Sequence, residues 1–339
     1  MIHAVRRTDL PVLLLHNIDP SWKCNEIDQA MEDVNLMKEA LSGEGHPVVD
    51  LQITSPDLAA ALKPFDPDEY IVLNWCEELP GYPKSDADVA AVLKSRSYAY
   101  TGSPPEVLAF SWDKAAVKNL LQKNNIATPA GRVLSSQRTD EWEYFPAIVK
   151  PSLEHCSVGV SAQAIVFDRK ELRERIGYVE DVLKQPALVE DFIMGREFHV
   201  ALWGNGQIEM LPPAEMDFSA FEDMRWHICT YDSKFTPGSE DFEKIEIIVP
   251  ASLEESEYLK LMQTVHWAYR LFGCRDYARI DLRLQDDIFY VLDINPNADL
   301  SPDTSMIYAA QSKGITYGEF VSRLVNLAAQ RHVIFRASE

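Results

Sequence analysis

Positive charge is what this sequence has too little of. Its 339 residues carry 32 Lys and Arg against 53 Asp and Glu, a formal net charge of −21. Gripping a nucleic-acid backbone takes clustered cations, so that class of partner is excluded. A single nucleotide is not, because ATP asks only for a few well-placed cations and a metal. Cysteine is scarce and unpatterned: Cys24, Cys76, Cys156, Cys229 and Cys274 are odd in number and form no CxxC pair. They read as free thiols in a reducing cytoplasm. No apolar run approaches the roughly 20 residues that span a bilayer, and no signal-peptide pattern opens the chain, so no membrane partner is expected. There is no internal repeat, no low-complexity tract and no Walker A sequence, which removes the P-loop class. What is there is a globular composition, 46% hydrophobic and 25% charged. The chain is too long for one core and calls for two or three sub-domains.

The apolar run 11–18 and the strand-like runs 47–53 and 70–75 alternate with helical patterns over 26–41, 57–63 and 86–96. This alternation predicts an open, mostly parallel sheet. A helix is predicted over 113–125, with Ser111 as its cap and Pro129 just past its end. A second mixed unit follows: a strand over 145–150, a loop over 153–159, a strand over 160–167 and a helix over 168–184. From Ala187 the chain returns to strands. Arg196 to Trp203 and Gln207 to Leu211 flank Gly204-Asn205-Gly206, a hairpin signal. Residues 217–243 have no clean period and read as a long loop, of the kind that forms lids. A long helix over 253–272 and helices near 304–312 and 317–329 complete the pattern.

The chemistry concentrates between Tyr277 and Asn295. Two alternating runs, 277–281 and 290–296, read as strands, and 284–290, with Gln285-Asp286-Asp287 at its tip, makes a hairpin between them. Side chains two apart share a face, so Arg279 goes with Asp281, and Asp293 with Asn295. Ile280, Leu282, Leu292 and Ile294 are expected on the opposite, buried face. One face then gathers two carboxylates and an amide oxygen, hard ligands for magnesium, beside a cation able to hold a phosphate or an oxyanion. A surface hairpin with an ion pair satisfies the same residues. Lys150 ends the strand before a loop holding Ser152, Ser157 and Gly159, where a lysine and backbone N–H groups can grip a phosphate. The stretch 187–198 places Glu190 and Glu197 around a glycine turn, suited to an adenine edge and ribose hydroxyls.

Taken in order, these segments resemble a known family. Tyr100-Thr101-Gly102-Ser103, the helix start at Asp113-Lys114, the segment 145–151, the segment 188–198, Ala278-Arg279-Ile280-Asp281 and Leu292-Asp293-Ile294-Asn295 look like the motif series of the D-alanine–D-alanine ligases, in the ATP-grasp superfamily. The resemblance covers roughly residues 99–330. It implies an α/β (α+β) ATP-grasp fold: an N-terminal open parallel-sheet domain (1–107), a small central α+β domain (108–190) and a C-terminal antiparallel-sheet domain (191–339). ATP would lie between the last two. Residue by residue, it implies that Lys114 and Lys150 contact ATP phosphates, with Ser157 in the neighbouring loop. Glu190, Asp191 and Ile193 would form the hinge at the adenine, and Glu197 would bind the ribose. Asp281, Asp293 and Asn295 would hold magnesium, or manganese in its place. Arg279 would steady the transferring phosphoryl group, and Lys234 would sit on a loop closing over the site.

The departures from that family lie on the substrate side. Its metal-bridging glutamate is here Asp293. Its E-G-S-S-V-G loop reads Glu154-His155-Cys156-Ser157-Val158-Gly159. Its Pro-Gly after the last asparagine is replaced by Ala298-Asp299. Its N-terminal glutamate motif is not found in Leu15-His16-Asn17-Ile18-Asp19-Pro20. The expectation is an ATP-dependent ligase joining a small-molecule carboxylate to an amine through an acyl phosphate. The substrates are expected not to be two D-alanines, and Trp22, Trp75, Glu77 and Glu78 are candidates for their site. A homodimer is implied by the family's habit. An ATP-grasp phosphotransferase and a nucleotide-binding module without turnover are the alternatives. His155 and Cys156, adjacent in a loop with no third ligand, argue against a zinc site there.

Overall fold

The computed structural model describes residues 6–236 and 238–336. Its first sheet is formed by β1 (Val12–Asn17), β2 (Val48–Ile53), β3 (Ile71–Trp75) and β4 (Ala99–Tyr100), all parallel, in the order β2-β1-β3-β4. Parallel strands must be covered on both faces, and the continuous apolar run of β1 reflects this. Val12 and Leu14 pack toward the helices Cys24–Gly43 and Tyr317–Ala329, through Val34, Met37, Phe320 and Leu324. Leu13 and Leu15 pack the other way, against Val89, Ala90 and Leu93 of the helix Asp86–Ser95. The end of the chain thus helps to cover the sheet at its beginning.

The second sheet has β5 (Gly131–Leu134), β6 (Ala147–Pro151), β7 (Ile165–Val166) and β8 (Ala187–Asp191), antiparallel, in the order β5-β8-β6-β7. The helix Arg169–Asp181 covers it with Leu172, Ile176 and Val179. The strand expected over 160–167 shrinks to β7, because a 3-10 turn at Ala162–Ala164 occupies the rest. Ser111 is not the cap of the next helix. It ends a short helix, Pro105–Ser111, that the periodicity did not show, and Asp113 caps Lys114–Lys123 by accepting from Ala116 N at 2.9 Å.

The third sheet contains β9 (Arg196–Trp203), β10 (Glu209–Met210), β11 (Ala214–Asp217), β12 (Glu246–Ile248), β13 (Tyr277–Gln285) and β14 (Ile288–Asn295). Its order is β12-β11-β9-β13-β14, with β10 also paired to β9. Alternation sends Phe198, Val200, Ile280 and Leu282 down onto the helix Glu255–Phe272. Between Asp281 and Leu282 the ladder slips: Asp281 pairs with Asp293 but Leu282 with Val291, so Leu292 is an extra residue. This β-bulge inverts the alternation of β14. Phe289, Val291 and Ile294 therefore face the core, while Leu292 lines a cleft with Asp293 and Asn295. That corrects the placing of Leu292 on the buried face.

Gly195 joins β8 to β9, and a Cβ there would lie 1.7 Å from the Leu284 carbonyl oxygen, so only glycine fits. The long loop after β11 is folded down. Met216, Phe218 and Phe221 cluster with Trp226, Cys229 and Ile245, and short helices at Asp232–Phe235 and Glu240–Lys244 interrupt it. No helix among the described residues is long and apolar enough to cross a membrane.

Candidate active site

A cleft of about 1050 Å³ opens among the three sheets, and every residue singled out above as a site candidate lines it. β13 contributes Arg279 and Asp281, whose guanidinium and carboxylate meet in a two-pronged contact at 2.7 and 3.0 Å. Burial alone would raise the Asp281 carboxyl, but Arg279 holds it well below the carboxylate range. Asn295 on β14 donates from Nδ2 to the same carboxylate at 3.1 Å. Opposite Asp281 stands Asp293, paired with Lys114 at 2.5 Å; that lysine holds its carboxyl below the ordinary carboxylate range despite burial. Two carboxylates and an amide oxygen from adjacent strands thus share one wall, a donor set that fits a hard divalent cation.

Behind this wall lies a buried triplet. Glu190, at the end of β8, is 1% exposed and pairs with Lys150 at 3.1 Å and Lys118 at 3.0 Å. Burial favours the neutral acid, yet the two ammonium groups hold Glu190 below its ordinary range. Lys118 escaped the sequence reading although it is four residues after Lys114, on the same helix face. Asp191 is half-buried on the cleft wall. The carbonyl of Ile193 accepts from Arg283 Nη1 at 2.7 Å, and Arg283 also donates from Nε to Glu197 at 2.8 Å. Desolvation would raise Glu197, but Arg283 brings it down to about 2. Arg283 and His199 were also missed, and both follow from alternation: each lies two residues beyond a residue already placed on this face, Asp281 and Glu197.

The loop side is closed by Lys234, whose ammonium donates to Ser157 Oγ at 2.9 Å, while Ser157 donates to the carbonyl of Cys229 at 2.9 Å. His155 stacks edge-on against Trp112, with centroids 4.4 Å apart, and its Nε2 lies 3.1 Å from Ser111 Oγ. Burial, then the charge of Lys114, lowers its pKa to about 4, so it is neutral at pH 7.

The far end of the cleft differs in character. Trp22, Trp75, Glu77, Glu78, Asp86, Asp299 and Asp303 line it, with Lys84 tied to Glu154 at 2.6 Å. Among the described residues no hydrogen bond or ion pair engages the Glu77 carboxylate. Glu77 is exposed to solvent as a residue, but the cleft walls crowding its carboxylate, then the charge of Asp299, raise it to about 7. Asp299 has one oxygen held by Ser301, from N at 2.9 Å and from Oγ at 2.7 Å, and among the described residues no cation lies within ion-pair distance of it.

The model of the family described as "D-ala D-ala ligase C-terminus" matches residues 120–326, more than half of the chain. The chain belongs to the D-alanine–D-alanine ligase family. With that membership come the ATP-grasp fold and the ATP-dependent formation of a carbon–nitrogen bond. Among its relatives, an uncharacterized protein of Sinorhizobium fredii, y4sG, is 30% identical over 266 residues, 77% of this chain and 75% of that one. A D-alanine–D-alanine ligase of Pseudothermotoga lettingae is 27% identical over 87% of this chain and 93% of its own length. The crystal structure of the D-alanine–D-alanine ligase from Bacillus anthracis complexed with ATP superposes with a TM-score of 0.73 at 20% identity, covering 95% of this chain and 98% of that one. At that identity it speaks to the fold alone.

Proposed function

We propose that this member of the family couples ATP cleavage to amide formation between a carboxylate and an ammonium-bearing substrate, through an acyl phosphate, and that the pair is not two D-alanines. A carboxylate is a poor acyl donor because oxide would have to leave. Attack of its oxygen on the γ-phosphorus expels ADP; the amine then attacks the acyl carbon and phosphate departs. Lys114 and Lys150 take the phosphates and Arg279 neutralises charge on the phosphoryl group and on the tetrahedral intermediate. Lys234 closes the loop side over Ser157. Glu197 serves the ribose. Glu190, Asp191 and Ile193 serve the adenine, with the Glu190 side chain anchored under two lysines so that the strand end presents its backbone edge. Asp281, Asp293 and Asn295 would hold magnesium, which supplies further charge neutralisation on the phosphates when bound.

The single observation that carries the substrate reading is that Glu77 and Asp299 line the same end of the cleft and, among the described residues, neither is paired with a cation. An ammonium is the ligand such a pair accepts, and it supplies the carboxylate that the N-terminal segment 15–20 lacks. A carboxylate that titrates near neutrality can also take the proton the ammonium must lose before attack. Cys156, a weak hydrogen-bonding group, and Asp299 replace a serine and a glycine of the family's substrate side, which argues against D-alanine at both positions. Free cysteines and dependence on ATP fit a cytoplasmic enzyme, and a homodimer with divisions near residues 107 and 190 completes the reading.

The assay is ADP release with panels of D- and L-amino acids, diamines, dipeptides and N-acyl acids, followed by mass spectrometry of the product. A new amide containing an ammonium-bearing component is expected. Robust D-alanyl-D-alanine formation would overturn the substrate reading. A stable phosphorylated product would make the protein a phosphotransferase, and nucleotide binding without ADP release from any mixture would make it a binding module.

A further inference from the structure

Beside the hard-oxygen wall lies a second donor cluster of a different chemical kind. Glu197 and His199 are two apart on β9 and so share its cleft face, and Cys229 comes down from the loop above. One donor atom from each of the three lies within 4.8 Å of the others. We propose that Glu197, His199 and Cys229 form a binding site for a zinc-class divalent cation, separate from the magnesium ligands.

The geometry is specific. Glu197 Oε2 is engaged by Arg283, while Oε1 faces His199 Nε2 at 3.6 Å. That is too long for a good hydrogen bond. It is close to the spacing of two donors on one tetrahedral zinc, about 3.3–3.6 Å for oxygen and nitrogen bonds of roughly 2.0–2.2 Å. The other ring nitrogen of His199 lies 3.4 Å from Ser305 Oγ, a partner that fixes the ring with Nε2 toward the cluster. Ser157 anchors the backbone of Cys229 through its carbonyl, so the thiol is carried on a held segment. A water can complete four ligands, which leaves Asp281, 3.9 Å from His199 Nε2, to the magnesium wall.

Donor chemistry sorts the two cations. Magnesium takes oxygen and rejects thiolate, whereas zinc and cobalt favour sulfur and imidazole nitrogen. On binding, the Cys229 thiol releases its proton to solvent. If Glu197 serves the ribose, a clause that rests on the function proposed above, zinc and nucleotide exclude one another.

The test uses the full chain, stripped with chelator and titrated with cobalt(II). One equivalent should produce the intense near-ultraviolet thiolate-to-cobalt band, and zinc should displace it. C229S should abolish the band, H199Q should weaken cobalt binding at least tenfold, and C156S should leave both unchanged. Absence of the band in the wild-type chain, or its survival in C229S, overturns the site. H199Q keeps the question decidable should C229S fail to fold, since undiminished cobalt affinity in H199Q also overturns it. Equilibrium dialysis of ATP with and without zinc separates the two proposals. Cobalt bound at Cys229 with unchanged ATP affinity upholds the metal site and removes Glu197 from the ribose; tight ATP binding with no cobalt band does the reverse.

Discussion

The two ends of the cleft treat charge in opposite ways. At the end proposed for the nucleotide every carboxylate named except Asp191 has an answering cation: Asp293 has Lys114, Glu190 has Lys118 and Lys150, Glu197 has Arg283, and Asp281 has Arg279. At the substrate end Glu77, Glu78, Asp299 and Asp303 have none within ion-pair distance among the described residues. In the first arrangement the five cations outnumber the four carboxylates they pair with by one, so on the proposed function phosphates and metal would enter by exchanging with partners already present. The second gathers like charges, whose repulsion is relieved by proton uptake at Glu77 or by a bound cation, which marks it as a candidate place for a ligand.

The contrast can be broken by substitution. The largest effect is expected at Asp293. Asp293→Asn should lower turnover by about 10³-fold or more, since a metal ligand and the partner of Lys114 go together. Asp293→Glu should retain or raise activity. Steady-state ADP release decides it, and an active asparagine variant would mean the hairpin is not the metal site. Next is Glu190→Gln, which leaves two buried lysines without an anion and should cost about 3–5 kcal/mol of stability. Urea unfolding reads this, and an unchanged midpoint would show that the triplet is dispensable. Lys150→Met should weaken ATP about 10- to 150-fold, the loss of one charge-assisted contact of roughly 1.5–3 kcal/mol. Calorimetric titration with an unaltered dissociation constant would contradict the placing of the phosphates.

The smallest effect, opposite in sign, belongs to the substrate end. The folded chain holds the Glu77 proton more tightly than the unfolded chain does, because its carboxyl is raised to about 7. Stability therefore falls as pH rises from the ordinary carboxylate range to about 7, then levels off. Glu77→Gln should unfold no more easily than wild type and should gain on it across that window. The KM for the amine should drop as wild type is taken up through about pH 7, whereas the glutamine variant should show a flat KM, about tenfold higher. A stability loss in Glu77→Gln like that of Glu190→Gln would erase the distinction between the two ends.

How much of this was legible in the sequence follows the same division. The nucleotide end lies on strands, where period two places Arg279 with Asp281 and would have placed His199 and Arg283 as well. The substrate end is assembled from Glu77 after β3 and Asp299 after β14, and no local pattern announces that loops so far apart in sequence meet. The helix Pro105–Ser111 is too short for a periodic signal. The segment 217–243 hides its short helices because Asp232–Phe235 and Glu240–Lys244 span only four and five residues, too few for a periodic signal.

Leu292 gives the site a dependence on strand register as well as on residue identity. Were the ladder to close with that residue kept in register, Leu292 would stand opposite Asp281 and Asp293 opposite Ile280, and the aspartate would turn beneath the sheet onto the helix Glu255–Phe272. Deleting Leu292 does the opposite: Val291 stays opposite Leu282 and Asp293 opposite Asp281, so the acidic face survives in an unbroken ladder. The bulge acts as a phase correction in this hairpin, and a gap placed at Leu292 when chains are compared signals a lost bulge rather than a lost carboxylate.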